Sequence, residues 1–101
     1  MKQQFGLSQR QYAELLSILK QFPAIESAII FGSRAKGTMH ERSDIDLAVT
    51  GKALDRHKLA ELMLAFDDSD LPFQVDIQPL SDIQNPALLE HISRIGQVIY
   101  P

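Results

Sequence analysis

Apolar residues recur three or four apart at Tyr12, Leu15, Leu16 and Leu19, a spacing that predicts a helix from Ser8 to about Gln21. Ser8 and Gln11 have the spacing of a capping box, and Pro23 ends the segment. Residues 25–31 are short and dense in Ile, Ala and Phe, which predicts a buried strand. Gly32-Ser33 breaks it, residues 34–37 can form a helical turn, and residues 38–43 read as a polar loop. A second strand is predicted over residues 44–50, stopped by Gly51. Asp55 can cap a helix reaching about Asp68, with Leu59, Leu62, Met63 and Phe66 on one face. Residues 73–78 alternate strictly: Phe73, Val75 and Ile77 on one side, Gln74, Asp76 and Gln78 on the other. Pro86 suits the first turn of a last helix carrying Leu88, Leu89, Ile92 and Ile95, and Gly96 stops it before a terminal strand at 97–100. The order is helix, strand, strand, helix, strand, helix, strand.

Length and composition narrow the reading. At 101 residues the chain is expected to form a single domain, 1–101. Cysteine is absent, which removes disulfides, zinc–thiolate sites and a thiol nucleophile and fits a reducing cytoplasm. No apolar run approaches the ~20 residues of a membrane helix, and the N-terminus lacks the apolar stretch of a signal peptide, so no membrane partner is expected. A net charge of -3 argues against general nucleic-acid binding.

The acidic residues carry the chemistry. Side chains two apart on a strand share a face, so Asp44 and Asp46 project together while Ile45, Leu47 and Val49 pack inward. Two adjacent carboxylates repel, and both stay ionised only beside a cation. Magnesium suits such a pair, since it takes one or two carboxylates and completes its shell with phosphate oxygens and water. Asp76 also lies opposite its strand's apolar side. If its strand pairs with the second one, three carboxylates share a face and can hold two metal ions, with Asp76 also a candidate base. Taken singly, each acid has a bland alternative as a solvated strand residue.

A strand that ends in Gly32-Ser33 and enters a helical turn offers backbone N–H groups and a hydroxyl to phosphate. Arg34, Lys36 and Arg42 add positive charge nearby, and Arg34 or Arg42 could fork onto a phosphate. Ser43 either orients Asp44 or simply starts the strand. His57 and His91 fall in predicted helices without partners at metal spacing and read as structural. Tyr12 and Tyr100 read as packing residues, and His40 as a solvated loop residue.

Gly32-Ser33-Arg34-Ala35-Lys36-Gly37 followed by Ser43-Asp44-Ile45-Asp46-Leu47-Ala48-Val49 resembles the nucleotidyltransferase signature: glycine-serine, ten residues, Asp-x-Asp. Phe73-Gln74-Val75-Asp76-Ile77 resembles the strand that supplies the third carboxylate. Within the DNA polymerase beta-like superfamily, the chain is most similar to the minimal nucleotidyltransferases of bacteria and archaea, often encoded beside a small helical HEPN protein. The resemblance implies an α+β (α/β two-layer) fold, a small mixed sheet flanked by helices. It implies that Gly32 and Ser33, with Arg34 and Ser43, bind the nucleotide, and that Asp44, Asp46 and Asp76 hold Mg2+ and serve catalysis. It also implies ATP as substrate, and AMP transfer to a tyrosine of a HEPN toxin for which the chain is the antitoxin. Steric neutralisation of that toxin and transfer to a small molecule are the alternatives. The brevity of the chain leaves little to form an acceptor pocket, which favours an acceptor on another protein.

Overall fold

Ser8 starts the first helix as its spacing predicts. Its hydroxyl accepts from the Gln11 N–H at 3.1 Å, and the Gln11 side chain accepts from the Ser8 N–H at 2.9 Å. The computed structural model describes residues 5–40 and 43–101. Helix α1 (Gln9–Lys20) leads to strand β1 (Ser27–Phe31), and the chain turns directly into a one-turn helix α2 (Gly32–Lys36). Strand β2 (Ile45–Thr50) and helix α3 (Arg56–Asp67) follow, the latter capped by the Asp55 carboxylate. Strand β3 (Val75–Pro79) runs into a 3-10 turn at Leu80–Asp82, then helix α4 (Pro86–Ile95) and strand β4 (Gln97–Tyr100) complete the fold. The 3-10 turn carries too short a pattern to be read from sequence.

The sheet has the order β3-β2-β1-β4. It is mixed: β1 pairs antiparallel with β2 and β4, whereas β2 and β3 run parallel. This is the mixed α+β sheet that the resemblance implies. The parity of each strand decides what covers each face. Ala28 and Ile30 of β1, Ile45, Leu47 and Val49 of β2 and Ile77 of β3 are buried with Leu15, Leu19, Leu62 and Phe66 of α1 and α3. Burying each such side chain stabilises the fold by roughly 1.5–3 kcal/mol. The other parity forms a smaller cluster of Phe31, Ala48, Ile83 and Ile92, so α4 and the 3-10 turn cover part of the second face. The helices therefore flank both faces, and the second is covered only in part. The acidic residues lie on that second face.

Candidate active site

The strand register assembles the site. Phe31 stands opposite Asp46 across the antiparallel pair, and Asp46 stands opposite Asp76 across the parallel pair. These residues form one row on the second face, on strands about 4.8 Å apart. Asp44 lies just before β2 rather than within it, and the ladder starts with the Ile45 N–H donating to the Gln74 carbonyl at 2.9 Å. Asp44 and Asp76 are exposed, and Asp46 between them is half-buried.

Asp46 therefore has the most perturbed carboxyl of the row. Its pKa is raised, first by burial and then by the negative charges of Asp76 and Asp44; the weaker opposing influence is His91. A cation between these acids would relieve all the raising influences except burial. Among the described residues no three acidic or histidine groups already form a closed metal cage. The fit to magnesium rests on a shared face and mutual repulsion, and this ion usually draws the rest of its shell from phosphate and water.

The sign of the Asp46 shift gives a stability prediction. A carboxyl whose folded pKa exceeds its unfolded one binds more protons when folded, so its ionisation opposes folding as pH rises through that interval. Asp46→Asn removes the penalty. Thermal unfolding should show the variant and the wild type converging at acid pH and the variant more stable at neutral pH. The gain is at most about 1 kcal/mol, because the group is half-open to water, or a few degrees in Tm.

The glycine-serine turn sits directly against Asp46. Gly32 adopts φ +75, and a Cβ there would overlap the Asp46 Oδ2 atom. Any other residue meets both left-handed strain and this collision. The Gly32 N–H is engaged, donating to His91 Nε2 at 3.0 Å. His91 is thus a site residue, although the sequence reads it as structural. It stands three residues after Leu88 and one before Ile92, on the side of α4 that packs inward, and that phase is the signal that points to it.

Arg34 is a correction. It is expected to fork onto phosphate, but it is only 2% exposed and points into the protein. Its guanidinium donates to the Ser43 carbonyl from Nε at 3.0 Å and from Nη2 at 2.7 Å, and to the Phe5 carbonyl at 2.9 Å. It also stacks over the Phe73 ring at 4.4 Å. Burial pulls its pKa down and the charge of Asp44 opposes this. The role is to fasten the carbonyl immediately before Asp44. The Ser43 hydroxyl accepts from the His40 N–H at 3.0 Å, so this serine organises the loop beside the acid. Arg42, the other expected fork, lies outside the described residues. Arg34→Met should lower stability by roughly 2–4 kcal/mol, because it leaves buried carbonyls unpaired, a loss that chemical denaturation would measure.

Asp44 and Asp76 are exposed to solvent, and Asp46 is half-buried. A groove of about 610 Å3 runs past Thr50, Lys52 and Ser81, at the other end of β2 from Asp46. No helix among the described residues is long and apolar enough to cross a membrane.

The family described as Polymerase beta, Nucleotidyltransferase matches residues 13–101. A Haemophilus influenzae protein described as "Probable protein adenylyltransferase MntA" is 36% identical over 78 residues, covering 73% of this chain and 66% of that protein. The chain thus spans just under two thirds of that relative. A crystal structure of a toxin-antitoxin with AMP-PNP superposes with a TM-score of 0.72 at 27% identity, over 88% of this chain and 72% of that one. A mutant of the toxin-antitoxin MntA-HpeT gives 0.71 at 25% identity, with the same coverage.

Proposed function

Because this chain belongs to the polymerase beta nucleotidyltransferase family, we propose that it is a magnesium-dependent adenylyltransferase and antitoxin that moves AMP from ATP onto a tyrosine of a HEPN toxin. The observation that carries the reading is the register of Asp46 against Asp76, with Asp46 packed on the Gly32 turn. It brings Asp46, Asp76 and the glycine-serine turn to one face, with the charge of Asp44 acting on Asp46 from just before the strand. The relative described as a protein adenylyltransferase and the toxin-antitoxin structure with AMP-PNP support the choice of nucleotide and partner.

In this reading Asp44 and Asp46 would hold magnesium, with Asp76 completing the set, and the ion would neutralise charge that develops on the oxygens of the transferred phosphate. The backbone of the turn and the Ser33 hydroxyl orient the triphosphate, and the bare Gly32 lets it approach Asp46. The Gly32 N–H itself is already satisfied by His91, so the phosphates meet the later amides of α2, which lack intrahelical acceptors. Asp76, exposed at the rim of the row, accepts the proton of the tyrosine hydroxyl as that oxygen bonds to the α-phosphorus of ATP, the bond to the β-phosphate breaks and pyrophosphate leaves. The exposure of Asp44 and Asp76 suits an acceptor carried by another protein. A cytoplasmic setting supplies ATP and suits a chain without cysteine.

Co-expression with the HEPN toxin separates catalysis from steric cover. The wild type should restore growth, and the Asp44→Ala, Asp46→Ala double variant should not, although it still binds the toxin in pull-down. Full protection by the double variant would assign neutralisation to binding alone.

A further inference from the structure

His91 comes from α4, 59 residues away from Gly32, yet its Nε2 meets the first amide of α2 at 3.0 Å. That amide has no acceptor within its own helix, so the imidazole satisfies a donor that would otherwise need water or ligand. A ring nitrogen that accepts an N–H does so through its lone pair. The ring is held from two sides. Phe31 meets it edge-on, with centroids 6.2 Å apart and planes at 76°. The neighbouring Ile92 anchors α4 in the cluster with Phe31, Ala48 and Ile83. On its other side, Gly32 lies against the Asp46 carboxylate. The glycine is clamped between α4 and the central acid.

We propose that His91 is a positioning residue for the phosphate-holding turn: its imidazole accepts the Gly32 N–H and so fixes the turn at the distance from Asp46 that the triphosphate requires. The proposal rests on the reading of this face as a nucleotidyl-transfer site. His91 does not touch the reacting atoms. It acts through Gly32, and its loss leaves the acids in place while loosening the turn that presents the phosphates to them.

Variants at position 91 test this through two readouts on the full chain. His91→Phe keeps the ring and removes the acceptor, His91→Asn is polar but too short to reach, and His91→Gln restores an acceptor at similar reach. In AMP transfer to the HEPN partner, His91→Phe and His91→Asn should raise the KM for ATP about tenfold, the size of one lost hydrogen bond, while kcat changes far less. His91→Gln should return KM close to the wild-type value. A purely structural role would reduce the active fraction, lowering apparent kcat at constant KM, and that result would overturn the proposal. The second readout is amide hydrogen exchange at Gly32 without nucleotide. Protection should hold in the wild type and His91→Gln and be lost in the other two; equal exchange in all four proteins would overturn it. If the wild type transfers no AMP, the transfer reading fails by itself, and the exchange measurement still decides whether His91 holds the turn.

Discussion

Asp46→Ala is expected to abolish the proposed AMP transfer, with a fall of more than about 10³-fold, the scale of losing a preorganised group that stabilises transition-state charge. Asp46 is the middle of the carboxylate row, paired in register with Asp76 and two residues from Asp44. It is also packed against Gly32. In the proposed reading its removal would break the link between the acids that would hold magnesium and the turn that would hold phosphate. Asp76→Ala should cost transfer as well, but with less effect on magnesium-dependent ATP binding, because that exposed acid serves the acceptor side. The measurement is transfer of label from ATP labelled at its α-phosphate, with ATP binding followed separately by calorimetry. Loss of folding is not expected to confuse the result, since removing a carboxyl whose ionisation opposes folding relieves the structure.

Gly32→Ala has the second large effect, and it damages stability and activity together. The left-handed backbone costs a residue with a Cβ roughly 1–2 kcal/mol, and the added methyl drives into Asp46 Oδ2. Either the carboxylate or the turn must move, and both belong to the site. Gly37→Ala is the control. Gly37 has φ +84, but a Cβ there meets nothing within 4 Å, so only the backbone strain is felt and transfer should survive. A double-mutant cycle sharpens the point. Adding Asp46→Ala to Gly32→Ala removes the collision, so the stability losses should be markedly less than additive. Additive losses, read from chemical denaturation, would mean that the two residues do not press on each other.

Much of this site was legible in the sequence because it follows strand parity. Asp44, Asp46 and Asp76 alternate with Ile45, Leu47, Val75 and Ile77, and a period of two assigns the faces without knowledge of the fold. The turn at Gly32-Ser33 was legible because a glycine that ends an apolar run marks a backbone that must change direction. What sequence could not supply was the partner of each strand. Only the parallel pairing of β2 with β3 brings Asp76 opposite Asp46. Arg34 was misread for a related reason. Its charge suggests a surface role, whereas the Phe73 ring and the Ser43 and Phe5 carbonyls that hold it lie in other parts of the chain. His91 was missed because its acceptor role depends on α4 crossing the end of β1, a tertiary fact that a helical periodicity does not contain.

The physical logic of the face also bears on the acceptor. Asp44 and Asp76 are exposed on a face that Ile83 and Ile92 cover in part. In the proposed reaction an incoming protein surface would exclude water there and deliver its hydroxyl to Asp76.

The proposed transfer of AMP by these three acids and this turn to a protein partner is tested most directly by the intact mass of the HEPN protein after incubation with this chain, ATP and magnesium. A gain of one or more AMP units, located on tyrosine, is expected, and it should disappear with Asp46→Ala and when magnesium is chelated. An unmodified partner under conditions where the two proteins bind, or equal modification by Asp46→Ala, would contradict it.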